Sequence, residues 1–326
     1  RGILLGFGLY CVVFITIAGN VLVLIAFYKE KKLRTVFNLY IVNLAITDIG
    51  VAATAMSFYI IDNILGYWPF GEFLCGFWIF CDYGMTFASV FTLIVISIDR
   101  FWSVSWSVHY RTHHKAKKSY ISIAVVWSVM IVLWLPACVT DRIKHQRPGM
   151  CIWEPSLNSE FVIFIAAIGH HGSCFVLLFC YVQVFTFVRR RAKVGAIGAP
   201  KSKMAAEEIS VTGATLFARK QKPATLNSIR ESGADDDLSS DEASTIKREK
   251  KVFVTLSYIL VGYVICWVPF HVVFDISAVK PDAVPHVVYT ITFWMTYLNS
   301  TINPFLYNFS SPDFREAFRK ILCRKC

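Results

Sequence analysis

The chain has 326 residues, 56% of them hydrophobic and 15% aromatic, with a net charge of +11 from 33 Lys and Arg against 22 Asp and Glu. So apolar a composition is rare for a soluble domain of this length. The cations lie between hydrophobic runs, which is the pattern of a membrane protein with basic cytoplasmic loops rather than of a nucleic-acid binder.

Seven apolar stretches are long enough to cross a bilayer. They run about Gly2–Tyr28, Val36–Ile61, Glu72–Val104, Tyr120–Thr140, Glu160–Val188, Lys251–Phe274 and Ala283–Phe309. The sequence therefore predicts an all-α membrane protein, a seven-helix bundle. Asp48 interrupts the second stretch and Asp82 the third. A charge inside a membrane helix is costly and is by default a functional residue. The third stretch closes on Asp99-Arg100-Phe101, and Asp82 and Arg100 are separated by about 27 Å along one helix axis. That is close to the thickness of a bilayer core.

Lys29 to Arg34, Arg111 to Lys118, Arg189 to Lys251 and the tail after Phe314 carry the Lys and Arg, so they are expected on the cytoplasmic side. An odd number of crossings then places the N-terminus outside and the C-terminus inside. Arg1 is not preceded by Met and no cleavable signal peptide is recognisable, so an extracellular tail ahead of Arg1 is expected. Residues 1–310 form the bundle domain. Residues 192–247 are rich in Ala, Ser, Lys, Glu and Asp and read as a disordered cytoplasmic loop. Residues 311–326 read as an amphipathic membrane-surface helix and tail, with Phe314, Phe318, Ile321 and Leu322 on one face.

Six cysteines (Cys11, Cys81, Cys138, Cys174, Cys180 and Cys266) fall within apolar spans and read as small core residues. Cys75 and Cys151 flank spans on the outer side, where an oxidising exterior favours a disulfide. Cys323 and Cys326 follow the amphipathic helix and are placed to carry palmitate. His170-His171 and His271 invite a metal reading. Adjacent helical residues point about 100° apart, so the pair does not share one small ion easily, and His271 reads as pocket lining. No Walker loop, zinc-ligand cluster or Gly-x-Ser-x-Gly turn is present.

The ordered set is Gly19-Asn20, Asn43 to Asp48, Asp99-Arg100-Phe101, Trp127 with Pro136, Cys266-Trp267-Val268-Pro269 and Asn303-Pro304-Phe305-Leu306-Tyr307. It resembles the rhodopsin-like class of G-protein-coupled receptors over essentially the whole chain. The resemblance implies a non-enzymatic plasma-membrane receptor that activates a heterotrimeric G protein, with arrestin and a receptor kinase as further partners. Asp82, seven residues after Cys75, stands where the amine branch places the carboxylate that pairs a ligand ammonium. A cation leaving water needs a counter-ion and polarisable faces. Tyr83, Trp78, Trp267, Phe270, His271, Phe293, Trp294 and Tyr297 are the expected pocket, with Tyr297 bonded to Asp82.

Asp48 with Asn20, Ser89, Asn299, Ser300 and Asn303 resembles the sodium pocket of this class, and an allosteric sodium ion is the one cofactor implied. Oxygen ligands around a carboxylate suit such a hard cation. Asp99, Arg100, Glu249, Tyr181 and Tyr307 resemble the activation switch, with an Arg100–Glu249 pair expected to hold the third helix against the sixth. Three positions depart from the class pattern: Ser173 replaces a Pro, Tyr263 a Phe and Ser107 a Pro. The fifth span presents Ile165, Ala166 and Gly169 where other amine receptors place hydroxyls. The nearest likeness is to histamine- and muscarinic-type receptors. A class member for a peptide or lipid is the alternative, and a transporter the more distant one.

Overall fold

A backbone inside hydrocarbon has no water to bond, so it satisfies its own N–H and C=O groups by forming helices. The computed structural model describes residues 2–145, 149–153, 155–198 and 232–323; the side chains of residues 2–5, 155–156, 159, 192–198, 232–252 and 281 are not described. Within these residues the long elements are all helices and there is no strand.

The first span is Gly2–Lys29. The second is assembled from Asn38–Gly50, a π-helical turn Val51–Met56, and Ser57–Leu65. The third is Gly71–Ser105, followed by a short helix Ser107–His113, and the fourth is Ala116–Lys144. The fifth joins Ser159–Ile165, a second π turn Ala166–Gly172, and Ser173–Gly198. The sixth is Ser232–Val279, the seventh His286–Ser310, and a last helix covers Pro312–Leu322.

Six of the spans are long and apolar enough to cross a membrane by length and composition. The seventh is 25 residues long but more polar, because Thr292, Thr296, Asn299, Ser300, Thr301 and Asn303 are all buried inside the bundle. Its polarity is directed at its neighbours, not at lipid.

Two boundaries differ from the expectation. Helix continues to Gly198 and resumes at Ser232, so the fifth and sixth helices extend into the stretch read as a disordered loop. Ala, Lys and Glu there are good helix formers and sustain the helix beyond its apolar part. Residues 199–231 lie outside the described residues.

The third span is the hub. Its buried side chains run from Cys75 through Asp82, Ser89 and Ile96 to Val104. Trp127 of the fourth span donates to Asn43 Oδ1 at 2.9 Å, and Asn43 Nδ2 donates to Thr92 Oγ1 at 2.9 Å, so three spans share one buried polar bridge. Gly66 ends the second span at φ 70 with its N–H on Asp62 O at 2.8 Å, a left-handed cap that favours glycine. Phe314, Ala317 and Phe318 bury the last helix against the bundle while Leu322 stays exposed. Arg315 donates to Asn308 O at 3.0 Å and Phe309 O at 2.9 Å, covering carbonyls the seventh helix leaves open at its end.

Candidate functional site

At one end of the bundle, Cys75 is bonded to Cys151 with Cα atoms 5.5 Å apart. Arg142 reinforces this link: it donates to Asp141 Oδ2 at 2.5 Å, to Ile152 O at 2.8 Å and to Cys75 Sγ at 3.1 Å. Asn158 donates to the other Asp141 oxygen at 2.7 Å. The segment so held lowers Trp153 onto the bundle, 5.8 Å from the ring of Tyr83 and 5.9 Å from that of Trp134.

Beneath it lies Asp82, 4% exposed. Tyr297 O–H donates to its Oδ1 at 2.8 Å. Thr86 turns its hydroxyl onto the Asp82 carbonyl. Phe293 and Trp294 meet the Tyr297 ring at 5.1 Å and 5.3 Å, and Phe270 meets Phe293 at 5.2 Å. Tyr83 stacks on Trp134 at 4.9 Å. Of the sequence-expected residues, Tyr83, Phe270, Phe293, Trp294 and Tyr297 thus form one aromatic cluster that meets the carboxylate through Tyr297, while the Trp267 ring packs with Tyr263 and His271. A cavity of about 20 Å³ lies between the third, fifth and sixth spans, lined among others by Tyr83, Thr86, Phe87, His170, Trp267 and Phe293; Asp82 itself does not line it.

Two expected pocket residues are used elsewhere. Trp78 donates its indole N–H to Ala55 O at 3.3 Å, a carbonyl in the first π turn, and stacks on Trp68 at 4.9 Å. His271 stands behind His170, the two imidazoles stacked at 4.1 Å. His170 and His171 both approach the Asp275 carboxylate, His171 Nε2 at 3.2 Å and the buried His170 Nδ1 at 4.0 Å; among the described residues there is no cluster of three or more His, Cys, Asp or Glu placed to hold a metal ion. The sequence did not mark Tyr59, Thr86 or Trp134, and it marked His170 as a candidate metal ligand, where the structure has it lining the cavity. Tyr59 lies within 5.3 Å of Phe293 and 5.9 Å of Trp294. Periodicity could not find it, because the π turn at Val51–Met56 rotates it onto the pocket face. Gly169 has no room for a Cβ, which would collide with the Phe87 ring, so this stretch of the fifth span is sealed by a phenyl group.

Midway along, Asp48 is fully buried. Asn303 Nδ2 donates to its Oδ2 at 2.8 Å and Ser89 Oγ to its Oδ1 at 3.3 Å. Asn20 Nδ2 reaches Ser300 O at 3.1 Å, and among the described residues its own buried Oδ1 has no partner. Asn299 is buried nearby, and no hydrogen bond from it to Asp48 occurs among the described residues.

At the other end, Arg100 donates to Asp99 Oδ2 at 2.5 Å and to Tyr110 Oη at 3.0 Å. Tyr110 O–H in turn donates a hydrogen bond to Asp99 Oδ2 at 3.1 Å. The guanidinium carbon of Arg100 lies 3.5 Å from the Phe37 ring centre. His114 Nδ1 stands 3.3 Å from Asp99 Oδ1, and its ring stacks on Tyr110 at 4.2 Å. Burial holds the His114 imidazole below the ordinary histidine range and raises the Tyr110 phenol. Tyr181 packs on Phe253, and the buried Tyr307 hydroxyl has no partner among the described residues. Glu249 lies on the sixth helix, but its side chain is outside the described residues. A cavity of about 530 Å³ opens here, lined by Leu33, Phe37, Arg100, Tyr110, His114, Tyr307 and Phe314 among others.

Residues 19–307 match the family described as 7 transmembrane receptor (rhodopsin family). The chain belongs to that family. This receptor is 30% identical over 330 residues to the alpha-1A adrenergic receptor of Homo sapiens, covering 100% of its own length and 69% of the relative's. The rabbit protein (Oryctolagus cuniculus) of the same name is 31% identical with the same coverage. The octopamine receptor beta-2R of Drosophila melanogaster is 28% identical, across 98% of the receptor and 61% of the relative. The family is one of receptors, not enzymes, and its members are multi-pass proteins of the plasma membrane.

Proposed function

We propose that this receptor takes a small cationic amine at Asp82 and passes the event to a heterotrimeric G protein at the Arg100 end. The observation that carries this reading is the buried Asp82 carboxylate, bonded on one oxygen by Tyr297, on whose ring Phe293 and Trp294 pack. A buried charge needs a partner, and an ammonium among ring faces is the partner this chemistry favours. Relatives named for adrenaline-type ligands and for octopamine support the amine class. They also shift the weight from a histamine- or acetylcholine-like ligand toward a ring-bearing phenylethylamine. The Phe87 ring over Gly169 favours a compact ring end.

The disulfide end faces outward and the basic loops face the cytoplasm. Asp48 with Ser89, Ser300 and Asn303 supplies oxygen-rich surroundings suited to one sodium ion. Arrestin and a receptor kinase share the Arg100-end cavity with the G protein. Cys323 and Cys326 anchor the last helix through palmitate. A panel of octopamine, tyramine, adrenaline, histamine and acetylcholine, read against several G-protein outputs at matched surface expression, tests the proposal. A response confined to non-amine ligands overturns it.

A further inference from the structure

Two of the three departures from the class pattern, Ser173 and Tyr263, meet each other. Both are fully buried, and Ser173 Oγ lies 2.5 Å from Tyr263 Oη. Ser173 Oγ is also 2.8 Å from His170 O, to which it donates. A serine hydroxyl has one proton, so the Tyr263 phenol must donate to Ser173. Cys174 Sγ points at the same phenol oxygen at 3.7 Å. The result is a directed chain from thiol to phenol to hydroxyl to backbone carbonyl. It begins on the fifth helix, crosses to the sixth and returns. The accepting carbonyl belongs to the π turn Ala166–Gly172.

The same phenol ring lies parallel to Trp267, with centroids 6.1 Å apart and planes 17° apart, and it meets His271 edge-on at 6.0 Å. Trp267 lines the cavity that it shares with Tyr83, Phe87 and His170. Tyr263 therefore sits between the ligand side of the sixth helix and its seam with the fifth. At the Arg100 end the same two helices are closed against the third: Val104, Val184 and Leu256 are buried in one cluster with Phe101, Tyr181 and Phe253 packed on it.

We infer that the Tyr263–Ser173 hydrogen bond is a latch that holds the sixth helix against the fifth, and that Tyr263 is a positioning residue setting how readily the Arg100 end opens. A phenol bonded across a dry seam keeps its partner only while the helices stay together. Movement of Trp267 by a ligand shifts the ring that carries that phenol. This inference does not depend on which ligand Asp82 receives.

Tyr263→Phe removes the latch cleanly, because Ser173 keeps its bond to His170 O. Ser173→Ala removes the same bond but leaves a buried phenol without its acceptor, which is the costlier change. The double variant leaves no orphan, so it should behave like Tyr263→Phe and not like the product of the two single changes.

The experiment places a cysteine at Leu256 in all four backgrounds, in lipid nanodiscs without ligand, and follows its modification by a water-soluble maleimide with mass mapping. Tyr263→Phe should raise the rate about three- to tenfold, the range of one net hydrogen bond. Ser173→Ala should raise it further, and the double variant should match Tyr263→Phe. Buried Cys138 serves as the internal reference and should not change. An unchanged or slower rate in Tyr263→Phe overturns the latch. So does a double variant at the product of the singles, or a parallel rise at Cys138, which would mean general loosening of the fold.

Discussion

Replacing Asp82 by Asn isolates charge from shape. The amide has nearly the same volume, and its Oδ1 still accepts the Tyr297 hydrogen bond now seen at 2.8 Å. What disappears is the negative charge in a site only 4% exposed. Truncating one side of a desolvated charge pair costs about 2–5 kcal/mol. Taking about 3 kcal/mol, potency should fall roughly 100-fold at one decade per 1.4 kcal/mol. Tyr297→Phe removes one hydrogen bond to that carboxylate and should cost about 1 kcal/mol, or roughly fivefold. The assay is a concentration–response curve for octopamine, tyramine and the other amines of the panel. Receptor number is counted at the cell surface so that folding losses are separated from binding losses. An active amine that keeps its potency within about threefold in Asp82→Asn, when about 3 kcal/mol is expected, would refute the claim that its ammonium pairs there.

Glu249→Ala should raise basal G-protein activation about fivefold, the worth of one partly solvated ion pair of about 1 kcal/mol; unchanged basal activity at matched expression discards the Arg100–Glu249 pair. His114 is held below the ordinary histidine range by burial first, with Asp99 opposing and Arg100 and Lys118 adding to the depression. The closed arrangement therefore binds a proton less readily than a solvated histidine. It loses stability as pH falls below that range and none as pH rises above it. Basal activity in membranes should thus increase between pH 7 and 5.5 in the native receptor, on the histidine titration range of about 6.5. It should stay flat in His114→Phe, which keeps a ring on Tyr110; equal pH profiles would remove His114 from the switch. Replacing Cys323 and Cys326 by Ser should abolish hydroxylamine-sensitive lipid on the tail, and lipid retained in that variant would place the acylation elsewhere.

The bundle was legible in the sequence because hydrocarbon length and charge placement constrain it so strongly. The carboxylate with its Tyr297 partner was legible through the resemblance to the amine-receptor branch, and the two side chains are joined at 2.8 Å. What escaped was whatever depends on a break in that regularity. The π turns at Val51–Met56 and Ala166–Gly172 each shift the face that follows. One turns Tyr59 toward the carboxylate and gives Trp78 a carbonyl to bond. The other buries His170 against Phe87. Neither turn contains Pro, so no residue in the sequence marked it. The partners of Arg100 were half legible: Asp99 is adjacent in sequence, but Tyr110 and His114 return through the short helix Ser107–His113, which apolar spacing does not announce.

The two ends of the third span communicate only through a shared equilibrium between closed and open bundles, and a ligand shifts it by no more than its differential affinity. Moving that equilibrium from 1:99 to 99:1 needs about 5.5 kcal/mol. An ammonium at Asp82, at about 3 kcal/mol, supplies part of this if the pair tightens in the open bundle. The closed side is held by several polar contacts of about 1 kcal/mol each, among them Tyr110 on Arg100 and Asp99 and the Tyr263–Ser173 bond. No one of them matches the ligand term. Loss of any single contact should therefore leave a receptor that is partly active at rest and still responsive. Loss of two that lie far apart, such as the Tyr110 hydroxyl and the Tyr263 hydroxyl, should multiply their effects on the resting equilibrium, because sites without shared partners add in free energy.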